Sequence, residues 1–149
     1  MKIYLGSDHA GFELKEEMKA YLQDHNYEVE DCGALTFDQT DDYPDLIVIA
    51  AQKIAQDPSS KGIVFGKSGA GEAIVANKVN GIRAFIGFSE DNVLLAREHN
   101  DANVLSLGSA FVTPELGKKL VQLFLDTPFT AEERHKRRIE KITELERTQ

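Results

Sequence analysis

Several residue types that define common protein classes are scarce in this chain. Its 149 residues include a single cysteine, Cys32, and no tryptophan. One cysteine forms neither an internal disulfide nor a cysteine-based metal site, so we expect Cys32 to serve packing rather than catalysis. No apolar run reaches about 18 residues, and the chain enters MKIYLGSDHAG without a leader. These features predict a cytoplasmic protein with no membrane segment.

Positive charge is also in short supply. The 17 Lys and Arg residues are outnumbered by 25 Asp and Glu residues, and the net charge is −8. This balance argues against nucleic acid as the main partner. The length predicts a single domain over residues 1–149, and 42% apolar with 28% charged residues is typical of a soluble globular protein.

The hydrophobic pattern alternates between short apolar runs and segments of helical spacing. The runs end at or near glycine or a turn, and they are KIYLG, YEVEDCG, KGIVFG, IRAFIG and ANVLSLG. Pro44 and Pro114 each suit the first turn of a helix. The pattern predicts an α/β fold with five parallel strands and helices on both faces. A further helix from Thr130 onward has no following strand, and we expect it to pack against a second subunit.

The segment from Gly62 to Lys78, GIVFGKSGAGEAIVANK, carries the strongest functional signal. Gly66, Gly69 and Gly71 allow a sharp turn that aims backbone N–H groups outward, just before a helix that carries Glu72. The segment therefore predicts an anionic-ligand site beside a carboxylate. A strand-to-helix turn that needs glycine for geometry alone is the alternative.

Two better-known glycine loops do not fit this spacing. A Walker A loop requires glycine where Lys61 stands, and a dinucleotide fingerprint requires glycine or alanine where Ile74 stands. We therefore predict neither ATP nor NAD at this loop.

Other polar residues follow the apolar runs, where open parallel sheets bind their ligands. Ser7, Asp8 and His9 follow the first run, and the helix after the fourth run ends in His99 and Asn100. We expect these groups to converge with the glycine loop at one edge of the sheet. The alternatives are that Ser7 or Asp8 caps the next helix, and that His99 only compensates a helix C-terminus.

The C-terminal segment places positive charge on one helical face. Arg134, Arg138 and Lys141 stand at i, i+4 and i+7, and arginine binds phosphate oxygens through paired donors. This face would suit a phosphate dianion. The alternatives are a solvated face paired with neighbouring glutamates, or a basic patch for nucleic acid.

Six separated motifs resemble one enzyme family along nearly the whole chain. They are GSDHAGFELK, DCGA, DDYP, GKSGAGEAIVANK, AREHNDANVLSLGS and ERHKRRIEKI. The chain thereby resembles the type B ribose-5-phosphate isomerases, which also include galactose-6-phosphate isomerase subunits. The resemblance implies a Rossmann-like αβα sandwich, a homodimer or dimer of dimers, active sites shared between subunits, and no metal or cofactor.

The resemblance also implies a role for each matching residue. Many members carry a catalytic cysteine where this chain has Gly66, and a second branch uses a glutamate after the loop, which makes Glu72 the implied base. Glu72 is expected to have an ordinary pKa and to be ionised at neutral pH. His99 matches the ring-opening acid, and Ser68 matches the hydroxyl that holds the enediolate. The implied substrate-binding residues are Asp8, His9, Gly69, Ala70, Gly71, Asn100, Arg134 and Arg138, and Lys67 of the loop is a further substrate-binding candidate.

Two departures bear on the substrate. The family commonly has an arginine where this chain has Ala110, and Lys67 replaces what is often a glycine. The predicted function is interconversion of ribose 5-phosphate and ribulose 5-phosphate through an enediolate, in the pentose phosphate pathway. The alternatives are isomerisation of another tetrose, pentose or hexose phosphate, and a non-catalytic sugar-phosphate-binding module. A nucleotide-binding module is the weakest alternative.

Overall fold

The computed structural model describes residues 1–149 as five strands and six helices in alternation. The strands are β1 (Lys2–Ser7), β2 (Glu28–Asp31), β3 (Lys61–Gly66), β4 (Ala84–Ile86) and β5 (Val104–Gly108). The helices are α1 (Phe12–Asp24), α2 (Tyr43–Gln56), α3 (Ala70–Ala76), α4 (Glu90–Asn100), α5 (Pro114–Asp126) and α6 (Glu133–Arg147). All five apolar runs form strands, which confirms the predicted α/β fold.

The strands form one parallel sheet in the order β2-β1-β3-β5-β4. The chain passes outward from β1 to β2 on one side, then crosses to β3 on the other side, continues to the edge strand β4, and returns to β5 between β3 and β4. The direction of winding therefore changes between β1 and β3, and open α/β sheets bind ligands in the crevice at such a point. The segments that leave β1 and β3 at their carboxyl ends flank this crevice.

Alternate residues of the central strands feed two apolar cores, one on each face of the sheet. Ile3 and Phe65 point into the larger core, which includes side chains of α1, α4 and α5. Tyr4 and Val64 point the other way, against α2 and α3. The alternation follows from the two-residue period of a strand. Helices thus cover both faces, and the predicted αβα sandwich is confirmed.

Local sequence signals account for the helix starts. Thr113 accepts a hydrogen bond from the backbone N–H of Leu116, and Pro114 occupies the first turn of α5. Ser89 and Asn92 form a reciprocal capping box at the start of α4. Both devices satisfy amide donors that the helix itself leaves unpaired.

A buried ion pair ties α1 to the end of β2. The Lys15 side chain is fully buried, and its Nζ donates to both carboxylate oxygens of Asp31 at 2.8 Å and to the carbonyl of Ala34. Next to this pair, burial raises the pKa of the Cys32 thiol to about 11. The thiol therefore stays protonated at neutral pH, as expected of a packing residue.

The predicted extra helix, α6, is present and lies along α4. Its only buried residue is His135, whereas Ile142 and Leu145 are 40% and 60% exposed. These apolar side chains leave part of the α6 surface uncovered, and packing against a second subunit stays a prediction. None of the helices is both long enough and apolar enough to cross a membrane.

Candidate active site

The glycine loop joins the carboxyl end of β3 to α3. Gly69 has a φ of 80°, a left-handed conformation that favours glycine, and it directly precedes the helix. The Ser68 hydroxyl accepts a hydrogen bond from the backbone N–H of Ala70 at 3.2 Å. Because α3 has only seven residues, the loop amides and Ser68 matter more for an anion than a helix dipole does.

The carboxylate of Glu72 lies directly over Gly66. Glu72 is only 4% exposed, and a Cβ atom added to Gly66 would overlap its carboxylate. Glycine at position 66 therefore creates the space that this carboxylate occupies. The Glu72 side chain of α3 fills the space next to β3 that any side chain at position 66 would occupy.

Burial raises the pKa of Glu72 above its usual value, and the nearby Asp8 carboxylate raises it further. The backbone amides of Glu72 and Gly69 oppose this shift without cancelling it. The expectation of an ordinary pKa is therefore wrong, because loss of solvation outweighs the helix start. A carboxylate with a raised pKa is a better proton carrier near neutral pH than an exposed one.

Asp8 and His9 follow β1 into the same crevice. Asp8 is 7% exposed and accepts a hydrogen bond from the backbone N–H of Gly11 at 3.1 Å, so it also supports the turn before α1. The ring Nδ1 of His9 lies 2.6 Å from the Asp41 carboxylate. Asp8, His9 and Asp41 place ligand-type atoms within 4.8 Å of one another, but Asp41 already engages His9. We assign no metal to this group, and cofactor-free chemistry stays a prediction.

The turn after β5 pairs with the glycine loop through its backbone. The backbone N–H of Ser109 donates to the Gly66 carbonyl at 2.8 Å, and that of Ala110 donates to the Lys67 carbonyl at 2.9 Å. Lys67 and Ala110 are thus neighbours, both are exposed, and Lys67 makes no ion pair within 4.0 Å. The Lys67 side chain therefore leaves the backbone next to residue 110, where the family resemblance implies an arginine.

His99 and Asn100 do not join this group, which corrects the expectation of one shared edge. Helix α4 starts near the carboxyl end of β4 and runs back toward the amino ends of the strands. At about 1.5 Å per residue, the helix is about 16 Å long. The carbonyl of Asn100 accepts from Arg83, which directly precedes β4. His99 and Asn100 therefore lie at the amino edge of the sheet. A helix that returns from a parallel strand necessarily ends there.

The arginines of α6 belong with His99 rather than with Glu72. The His99 and His135 rings stack with centroids 4.4 Å apart, which joins the start of α6 to the end of α4. Arg134 pairs with Glu132 at 2.9 Å and is exposed, and Arg138 is exposed without an ion pair in the chain. Only one of the predicted pairings with glutamate therefore forms, and most of the basic face stays open.

Three residues at these two groups were absent from the predicted site. Asp41 pairs with His9, the ring of Tyr43 lies where a Cβ on Gly71 would stand, and His135 stacks on His99. Asp41 and Tyr43 both lie within the DDYP motif, and His135 lies in ERHKRRIEKI. The motifs therefore contained the signal, but no spacing rule connects them to their partners.

The sequence model named Ribose/Galactose Isomerase matches residues 3–142. The chain belongs to this ribose/galactose isomerase family. Ribose-5-phosphate isomerase B of Mycolicibacterium paratuberculosis is 45% identical over 148 residues, which cover 99% of this chain and 93% of that protein. A crystal structure of ribose-5-phosphate isomerase B from Mycoplasma genitalium with bound ribulose-5-phosphate has a TM-score of 0.95 and 39% identity, and covers 99% and 97% of the two chains.

Another protein similar to this chain has a different substrate in its name. The 4-deoxy-4-sulfo-D-erythrose isomerase of Clostridium sp. is 42% identical over 130 residues, 87% of this chain and 82% of that protein. The family resemblance predicted from the sequence is confirmed.

Proposed function

We propose that this chain is an aldose–ketose isomerase that interconverts ribose 5-phosphate and ribulose 5-phosphate. The observation that carries the proposal is the Glu72 carboxylate, buried over Gly66 at the sheet's switch point beside Asp8. We also propose that the protein acts in carbohydrate metabolism, within the pentose phosphate pathway and in the cytoplasm, because its relatives are named ribose-5-phosphate isomerases.

In the proposed mechanism, Glu72 takes the proton from C2 of the ring-opened aldose and returns it to C1. A second proton passes from O2 to O1, so that the C1 aldehyde becomes an alcohol and the C2 alcohol becomes a ketone. The enediolate between the two steps carries negative charge on oxygen. Ser68 and the amides of Gly69, Ala70 and Gly71 are the proposed donors to that oxygen.

Binding of the sugar is assigned to the groups that line the crevice. Asp8 and His9 would contact its hydroxyl or phosphate groups, and Lys67 would add a positive charge. The proposed ring-opening acid, His99, acts with Asn100, while Arg134 and Arg138 bind the phosphate. Because these last four residues lie at the opposite edge of the sheet, one chain does not bring both groups to one substrate.

We therefore propose a homodimer, or a dimer of dimers, in which two copies share each active site. One copy provides Glu72 and the glycine loop, and the other copy provides His99, Asn100, Arg134 and Arg138. The open basic face of α6 and its exposed apolar residues support this arrangement. Symmetry requires two equivalent sites, each made from both copies.

The first test measures isomerisation of ribose 5-phosphate without added metal, for the wild type and Glu72→Gln. We expect the variant to keep its fold and lose turnover by about 10²–10⁴-fold, the usual contribution of a general base. Near-normal turnover would remove Glu72 from this role. Binding of sugar phosphates without turnover by the wild type would favour a non-catalytic module.

The shared site has its own test, in which two inactive variants are mixed. Glu72→Gln and His99→Asn are unfolded together and refolded, so that mixed dimers form. Each mixed dimer contains one site with both residues intact, and random pairing should restore about a quarter of wild-type activity. A site made within one chain would show no recovery.

A second candidate function keeps the chemistry and changes the sugar. Ala110 provides no guanidinium beside the loop, and one relative is named as an isomerase of 4-deoxy-4-sulfo-D-erythrose. A panel of phosphorylated and sulfonated aldoses separates the two candidates by kcat/KM. If ribose 5-phosphate is the substrate, Ala110→Arg should lower its KM, because arginine binds a phosphate dianion through paired donors.

A further inference from the structure

The pairing of His9 with Asp41 has no role in the mechanism described so far. A single oxygen of Asp41, Oδ1, accepts two hydrogen bonds from His9, one from its backbone N–H at 3.1 Å and one from ring Nδ1 at 2.6 Å. The two contacts fix both the backbone and the ring of the histidine. The ring can therefore present only its other nitrogen, Nε2, to a ligand.

The Asp41 carboxylate is itself well sheltered. Its side chain is 13% exposed, and its second oxygen, Oδ2, is buried without a hydrogen-bond partner in the chain. An unpaired buried carboxylate oxygen costs stability, on the order of 1–3 kcal/mol. The acidic side chain is kept at this position although one oxygen is unpaired, and its other oxygen holds both the backbone and the ring of His9.

Negative charge surrounds the His9 ring from each neighbouring segment. Asp8 precedes it, Asp38 and Asp41 face it from the loop before α2, and Glu13 and Glu17 of α1 line the adjoining cavity of about 510 Å³. No lysine or arginine lines that cavity, and the turn after β5 contributes the neutral Ser109. The hydrogen bond that His9 donates to Asp41 raises the pKa of His9, and the charges of Asp8, Asp41 and Asp38 add to this effect against the opposing loss of solvation.

We propose that Asp41 is a positioning residue that holds His9 protonated and in one orientation, with Nε2–H directed as a charged donor to an oxygen of the sugar phosphate. The proposal rests on the proposed function for the identity of the ligand. A charged donor with a fixed direction binds an anionic oxygen about twice as strongly as a neutral one. In the acidic surroundings of the crevice, the protonated His9 ring would also supply positive charge, which the chain that carries Glu72 otherwise provides there only through Lys67.

The test compares Asp41→Asn with Asp42→Asn in the full-length protein. Asp42 is the adjacent acidic residue, it is exposed, and its side chain makes no capping hydrogen bond, so it controls for loss of one negative charge in the same loop. The His9 resonances, assigned by their absence in His9→Gln, are followed by NMR as pH is raised. In parallel, kcat and KM for ribose 5-phosphate are measured across the same pH range.

We expect Asp41→Asn to lower the measured pKa of His9, and Asp42→Asn to leave it nearly unchanged. In the wild type, KM should stay low until His9 loses its proton, and in Asp41→Asn this rise in KM should begin at lower pH with little change in kcat. An unchanged pKa in Asp41→Asn would overturn the proposal. A lowered pKa with an unchanged KM profile would equally overturn it, since His9 would then not meet the ligand.

The NMR measurement keeps this test separate from the proposed function. If no sugar phosphate is turned over by the wild type, the isomerase assignment fails, whereas the titration still decides whether Asp41 controls the charge of His9. Rescue by Asp41→Glu, which restores the carboxylate, would distinguish the charge from the packing of this loop.

Discussion

The Glu72 carboxylate can occupy its place in the candidate site only because residue 66 has no side chain. Real Cβ atoms stay at least 3.0 Å from neighbouring atoms, and a Cβ on Gly66 would fall inside the Glu72 carboxylate. In Gly66→Ala, the carboxylate must therefore retreat by about 1 Å. Overpacking of this size costs about 1–3 kcal/mol of stability.

The catalytic cost should exceed the cost in stability. A displacement of about 1 Å at a reacting group lowers turnover by about 10²-fold, so we expect Gly66→Ala to lose about that factor in kcat while it remains folded. The assay is isomerisation of ribose 5-phosphate, with the free energy of unfolding measured in urea. Wild-type kcat in a folded Gly66→Ala protein would refute the reasoning.

Two further variants sharpen this test. Gly117→Ala is the control, because the nearest atoms to its Cβ are side-chain atoms at 3.4–3.6 Å, and alanine is favoured over glycine in a helix by about 0.5–1 kcal/mol. It should leave kcat unchanged. Glu72→Asp shortens the acid, so the double variant with Gly66→Ala should lose less activity than the two single losses predict, as expected for residues in contact.

Three other predictions concern buried charges. The pKa of Glu72 in the folded protein is raised above its ordinary value of 4.5. The contribution of protonated Glu72 to the stability of the fold is therefore complete below pH 4.5 and is lost as pH rises through the pKa of the folded state. Glu72→Gln should therefore raise Tm at pH 7, with a smaller gain near pH 4.5; a lower Tm at pH 7 would contradict this. Burial lowers the pKa of Lys61 from 10.5 to about 8, so wild-type stability should increase between these pH values in urea titrations, and Lys61→Met should flatten that rise. Lys15→Met removes the fully buried ammonium that donates to both oxygens of Asp31, and it should lower the free energy of unfolding by about 1.5–3 kcal/mol, although Lys19 and the backbone N–H of Gly33 still donate to that carboxylate. Lys19→Met removes a partly exposed contact of the same carboxylate and should cost less than about 1 kcal/mol; equal losses would refute the distinction.

The sequence predicted the features that depend on local chemistry. Pro44 and Pro114 stand in the first turns of α2 and α5, and KGIVFG coincides with β3 at both ends. Apolar period and turn residues are properties of short segments, so they can be read without knowledge of the fold. The same reasoning placed Glu72 beside the glycine loop, because the loop and the acid are only a few residues apart, and its role as the base stays a proposal.

Features that depend on long-range contacts were not predictable in this way. The pairing of Asp41 with His9 joins residues 32 positions apart. Nothing in the sequence distinguishes the buried Lys15 from the other charged residues of its helix. The pKa of Glu72 was misjudged for the same reason, since its direction depends on how much solvent the fold removes.

The placement of His99 exposes a limit of reasoning from strand order. Residues that follow a strand directly stay at its carboxyl end, as Asp8 and Ser68 do, but residues one helix later have returned to the other edge. A candidate residue at the end of a helix should therefore be assigned to the amino edge of a parallel sheet. In this chain, that rule separates His99 and Asn100 from Glu72 by their positions in the sequence alone.

This separation has an electrostatic counterpart. The crevice holds the carboxylates of Asp8, Asp41 and Glu72, and their negative charge opposes the binding of a phosphate dianion to the few positive groups that one chain places there. The basic residues of α6 lie at the far edge of their own chain and remain largely without acidic partners. In the proposed dimer, the second copy adds the guanidinium groups of Arg134 and Arg138 to the positive charge that Lys67 and His9 provide in the crevice. Assembly and substrate binding should therefore be linked, so that sugar phosphate shifts the equilibrium toward the dimer.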